Sequence, residues 1–132
     1  SDSNINAFDS ISADTTQGSA FMIAEFANTA SVGVNTSVAN GQVTATNGEV
    51  TFTSTYALGV TARVAAVNTL TTTKGSTYFF NDGLNNEYLF VQGGIAGSTA
   101  DDLLVKVSAG ITSIAAGSIG AGLVGGKIEV TI

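Results

Sequence analysis

Between Thr77 and Ala109 the chain reads TYFFNDGLNNEYLFVQGGIAGSTADDLLVKVSA, two aromatic strand patterns around a polar turn, then an acidic pair and a third apolar strand. Glu87, Leu89 and Val91 alternate with Tyr88 and Phe90, the period-2 pattern of a strand. Asn81-Asp82-Gly83 and Asn85-Asn86 are residue types that tolerate turn geometry. The stretch therefore predicts a hairpin. Tyr78, Phe80, Tyr88 and Phe90 are four of only ten aromatic residues in the chain, so the densest part of the core is expected here.

A second hairpin is written in Gln42 to Thr46 and Glu49 to Thr53, two alternating β-branched runs joined by Asn47-Gly48, a dipeptide that favours a type I′ turn. From Ser54 to Leu70 the period changes. Ala57, Val60, Val64 and Val67 fall on one helical stripe, with Ser54 or Thr55 available as a cap and Gly59 as an interior weakness of about 1 kcal/mol. This helix is expected to cover the aromatic hairpin, with Val60, Val64 and Val67 over Tyr78, Phe80, Tyr88 and Phe90. Phe21 to Phe26 reads as a buried strand, residues 1–20 as an extended or irregular N-terminal segment, and Lys127 to Ile132 as a terminal strand. Ile111-Thr112-Ser113-Ile114 leads into AAGSIGAGLVGG, whose glycines imply a loop or closely packed backbones. The expected fold is mainly β, antiparallel hairpins in a sandwich- or roll-like arrangement, with one amphipathic helix packed on the sheet. A length of 132 residues suits one domain, 1–132.

Composition narrows the function. The chain has no His and no Cys, which excludes zinc fingers, papain-like sites and Ser-His-Asp catalysis. Four Lys and Arg against ten Asp and Glu leave no basic patch for phosphates, so nucleic acid is not an expected partner. No apolar run approaches a membrane span. Charged residues are 11% of the chain, their place taken by Thr, Ser, Asn, Ala and Gly. Such a neutral polar surface repels copies of itself only weakly, which favours an assembling, extracellular structural role over an enzyme. The start, SDSNINAFDS, has no basic region or apolar core of a signal peptide, and reads as a processed terminus or the edge of an excised domain.

Oxygen-bearing residues gather in two places, Asp82, Asn85 and Glu87 in the aromatic hairpin, and Asp101 with Asp102 after the Gly-rich turn. They admit two readings: turn and strand-capping chemistry, or an oxygen-ligated Ca²⁺. No intact EF-hand loop or calcium β-roll nonapeptide is present, and GGIAGSTADD only echoes the latter. Adjacent Asp101 and Asp102 point to opposite faces of a strand and do not form a paired-carboxylate acid/base site. Gly93-Gly94 with Gly97 lacks the setting of a nucleotide-binding loop. No other cofactor is expected.

The second half of the chain resembles a module at the C-terminal ends of bacterial surface-layer and RTX-like proteins exported by type I secretion. The residues that carry the resemblance are Phe79/Phe80, Asp82-Gly83, Tyr88-Leu89-Phe90, Gly93-Gly94, Asp101 or Asp102, and Leu104-Val105-Lys106-Val107. It implies a secreted, non-catalytic assembly or export module at the cell surface, with calcium and a surface polysaccharide as conceivable partners. The leading expectation is a self-assembling subunit of a surface layer or filament, a homo-polymer joined by strand addition. Its assembly residues would be Ile5, Phe8 and Ile11 near the N-terminus and Ile128, Val130 and Ile132 near the C-terminus. The alternatives are a C-terminal secretion or anchoring module of a larger protein and, with no Trp and the aromatics in strand patterns, least favoured, a carbohydrate-binding β domain.

Overall fold

The aromatic hairpin organises the molecule. Strands β7 (Ser76–Asn81) and β8 (Glu87–Val91) pair antiparallel with Tyr78 opposite Phe90 and Phe80 opposite Tyr88, and β9 (Leu103–Val107) adds on the far side of β8. The second hairpin is β5 (Val43–Thr46) and β6 (Glu49–Phe52). Its turn residues Asn47 and Gly48 have φ of 50° and 81°, the two positive values that a type I′ turn requires. These elements, with β1 (Asp9–Ile11) and β4 (Thr36–Val38), make one open sheet of order β1-β9-β8-β7-β6-β5-β4. An eighth strand, β3 (Ser31–Val32), pairs with β7 beside β6. The structure, a computed structural model, describes residues 9–11, 21–26, 31–95, 101–107, 111–118 and 126–131.

The sheet is mixed. β1 joins β9, β3 joins β7 and β6 joins β7 in parallel, while the remaining pairs are antiparallel. A second sheet of three strands has the order β10 (Ser113–Ser118), β11 (Gly126–Thr131), β2 (Phe21–Phe26), all antiparallel. Phe21 to Phe26 is thus a strand, as its composition suggested. The expected loop at AAGSIGAGLVGG begins later than anticipated, because Ala115 to Ser118 belong to β10; residues 119–125 lie outside the described residues.

Successive side chains of β7, β8 and β9 bury on opposite faces. On one face Tyr78, Phe80, Tyr88, Phe90 and Leu104 pack with Val43, Ala45 and Val50 under α1 (Val60–Val67), whose Val64, Ala66 and Val67 seal them. The Phe80 and Tyr88 rings stack at 5.5 Å between centroids, and Phe52 meets Phe80 edge-on at 6.2 Å. On the other face Phe79, Leu89, Val105 and Val107 pack with Ile111 and Ile114. The β7-β8-β9 half of the sheet is therefore buried on both sides, whereas Ser37, Thr44, Thr46 and Thr51 leave the β4-β5-β6 half exposed on one.

The helix lies where the valine stripe predicted but is shorter. It starts at Val60, not near Ser54, and neither Ser54 nor Thr55 caps it. Its N-cap is Gly59 at φ 96°, so the glycine is the break that lets the helix begin and not a weak point inside it. Residues 54–59 instead form a loop, closed by Tyr56 N–H donating to Thr53 O and Gly59 N–H donating to Asp82 O. Between β4 and β5 a 3₁₀ turn, Ala39–Gly41, holds three successive positive φ values, 51°, 55° and 82°. Left-handed backbone at Ala39 costs about 1–2 kcal/mol, which the surrounding hairpin must over-determine.

Candidate functional site

Four places among the described residues bring together groups that could serve a function. The first is the β7-β8 turn. Asp82 is buried and its carboxylate is filled by its own loop: Oδ1 accepts from Leu84 N–H at 2.7 Å and Asn86 N–H at 3.1 Å, and Oδ2 accepts from the Asn86 amide at 2.7 Å. Burial pushes this carboxyl up, but the Asn86 and Leu84 bonds and the Lys106 charge outweigh it and hold it below its usual value. Asn85, at φ 65°, turns the chain and is exposed, and Glu87 Oε2 accepts from Ile111 N–H at 2.7 Å.

The second place is where β6 and β7 part. Their parallel ladder stops after Val50 and Phe80, and Arg63 takes over from β6, its Nη1 donating to Asn81 O at 2.8 Å. Its Nε donates to Ala57 O at 3.1 Å, and the guanidinium lies 4.4 Å from the Phe52 ring centroid. Among the described residues Arg63 is the buried cation, held by neutral carbonyls and an aromatic face, and it binds the loop before α1 to the end of β7. A cleft of about 270 Å³ opens beside it, with Glu49, Phe52, Phe79 and Glu87 in its wall.

The third place is the other end of the hairpin. Past Tyr78, Phe90 and Leu104, the next residues on the same face are Ser76, Gln92 and Asp102, a polar row across β7, β8 and β9, all buried. Asp102 Oδ1 accepts from Gly93 N–H at 2.8 Å, while its Oδ2 and both polar atoms of the Gln92 amide have no hydrogen-bond partner within the protein. Burial pushes the Asp102 carboxyl up to about 6; the Gly93 bond opposes this and the neighbouring Asp101 charge adds to it. Asp101 is exposed whereas Asp102 is buried, so the two neighbouring carboxyl groups differ in their access to solvent.

The five candidate calcium ligands are thus not one site. Asp82, Asn85 and Glu87 lie at the start of β8, and Asp101 and Asp102 beyond its end, separated by a strand of roughly 17 Å. Among the described residues no three His, Cys, Asp or Glu side chains come together in a metal-holding group.

The fourth place is the set of strand edges. Terminal strand β11 was expected to offer a free edge, but it is the central strand of its sheet, with Ile128 opposite Ala116 on β10 and Ala24 on β2, and Val130 opposite Ile114 and Phe21. Its backbone donors and acceptors are therefore directed to neighbours on both sides. Ile11 ends β1, at one margin of the main sheet, while Ile5, Phe8 and Ile132 lie outside the described residues. Sequence reasoning missed the opposite margin, β4. A signal for it was visible: no charged residue occurs between Glu25 and Glu49. Comparison with family models, with curated proteins and with solved structures found no match.

Proposed function

We propose that this chain is a non-enzymatic extracellular structural subunit that joins copies of itself by strand addition, in a surface layer or filament of a bacterial cell. The observation that carries this reading is an open main sheet ending in β4 and β1, with no described residue paired to the outer side of either. A strand in that position presents a row of backbone N–H and C=O groups to any other strand that reaches it. The low charge of the chain supports the same reading, because neutral Thr- and Ser-rich faces bring copies together at little electrostatic cost. The absence of His and Cys from the sequence, and the use of Asp82 and Glu87 as acceptors for backbone N–H groups, favour a structural role over a catalytic one. Among the described residues no helix is long and apolar enough to cross a bilayer.

The test is concentration-dependent assembly. Purified protein, concentrated with and without calcium, is expected to form ordered arrays or filaments in negative-stain electron microscopy and heavy species in sedimentation. Dispersed monomers under all those conditions would overturn the proposal in favour of an export or anchoring module, which needs no self-association.

A further inference from the structure

Five strands are paired on one side only among the described residues: β1, β4 and the two-residue β3 in the larger sheet, β2 and β10 in the smaller. β1 carries Asp9 and β2 carries Glu25, and a charge on an edge opposes pairing with another copy of itself. β10 packs beside β3. β4 has none of these obstacles. Thr36, Ser37 and Val38 are neutral, the flanking chain from Phe26 to Gly48 is uncharged, and no Pro occurs anywhere to interrupt a ladder.

Both ends of β4 are also tied away from its outer rim. At its entrance the Asn35 side chain accepts from Asn47 N–H at 2.7 Å, fastening the strand to the β5-β6 turn on its inner side. At its exit the left-handed run Ala39–Gly41 folds the chain straight back into β5, closed by Gln42 N–H donating to Ala39 O at 3.1 Å. The strand is held extended on β5, with no described residue paired to its outer side, so little ordering remains to be done on binding. Val34, just before it, leaves its side chain 55% exposed.

We infer that β4 of one copy pairs antiparallel with β4 of a second, centred on Ser37, so that the two main sheets continue across a two-fold axis. The neutral edge selects the occupant: it matches a neutral edge like itself and offers no charge to a foreign acidic or basic segment. The inference rests on the strand-addition reading and names its contact.

The chain has no cysteine, so one introduced thiol reports one contact. Residues directly opposite in an antiparallel pair have Cα atoms about 4.5–5.5 Å apart, within disulfide reach, whereas residues on the next strands out are separated by about 14 Å. Oxidised Ser37→Cys protein is expected to convert to covalent dimer at least tenfold faster than Thr46→Cys, whose side chain is exposed on β5. Ser37→Lys is expected to sediment as monomer at concentrations where the parent associates, with an unchanged melting temperature. If the parent associates but Ser37→Cys dimerises no faster than Thr46→Cys, or Ser37→Lys still associates, the β4 contact is wrong while strand addition elsewhere stands. If the parent stays monomeric at every concentration, the contact and the strand-addition reading fall together.

Discussion

Phe90 and Asp102 lie on the same face of the sheet and show how differently buried residues respond to change. Phe90 is fully buried beneath α1, opposite Tyr78, with Leu104 on its other flank. Truncation to Ala leaves a cavity where a ring was, and Phe90→Ala is expected to lose about 3–5 kcal/mol in urea unfolding, a large share of the stability of a domain this size. A Phe90→Ala protein that melts like its parent yet loses a partner would identify this face as a recognition surface. Asp102 carries the opposite kind of cost. Its carboxyl titrates near 6 when folded and near 4 when unfolded, so the folded state holds the extra proton between those values. The stability this gives is complete below pH 4 and lost as pH rises through 6, where an ionised, buried carboxylate remains. Asp102→Asn is therefore expected to stabilise the protein by on the order of 2 kcal/mol above pH 6, the advantage vanishing toward pH 4. Parallel denaturation curves at all pH values would show that Asp102 is solvated. Asp82 runs the other way, since its hydrogen-bonded anion favours the folded state at neutral pH and that contribution fades as acid protonates it.

Among the elements, both hairpins were legible because their information is local: alternation sets the strands, and Asn47-Gly48 or Asn81 to Asn86 sets the turn. Gly48→Ala tests how firmly. At φ 81° a side chain is strained, and a Cβ there would lie 2.6 Å from Ile114 Cδ1, so the variant is expected to lose at least about 1–2 kcal/mol in thermal or urea unfolding. A neutral result would mean that the turn relaxes to another type. The helix stripe was legible too, but its start was not. Apolar spacing cannot show that residues 54–59 are committed elsewhere, with Ala57 O receiving Arg63 and Gly59 N–H reaching Asp82 O. The parallel pairings of β1, β3 and β6 are equally hidden, because a strand's own sequence does not name a distant neighbour. For the same reason the alternation of Lys127 to Ile132 predicted a strand without revealing that it is central. The candidate ligands stay in the two groups the sequence showed, because β8 runs between them and sets Asp82, Asn85 and Glu87 at one end and Asp101 and Asp102 at the other. The uncharged run up to Glu49 was readable, yet only the sheet order turns it into an edge.

In the molecule as a whole, β11 joins β10 to β2, two strands far apart in sequence. Removing Lys127 to Ile132 deletes nearly all of that joint, so hydrogen exchange in β2 and β10 is expected to rise sharply while β7 and β8 stay protected. Unchanged protection of β2 and β10 would mean that they pair without it. A loss of export on this deletion would then report unfolding as readily as a missing secretion signal. The parallel pairings have a consequence in time. β7, β8 and β9 are consecutive and close quickly, but β6 and β3 must return to β7 across the helix segment, and β1 must find β9 from the other end of the chain. Folding is expected to proceed from the centre of the sheet outward, its margins last, and a refolding experiment should show early protection of β8 amides and late protection of β4 and β1. Crowded chains reach one another during that interval, so the rate of sheet completion, set against the collision rate, governs whether copies meet as finished subunits or as tangles.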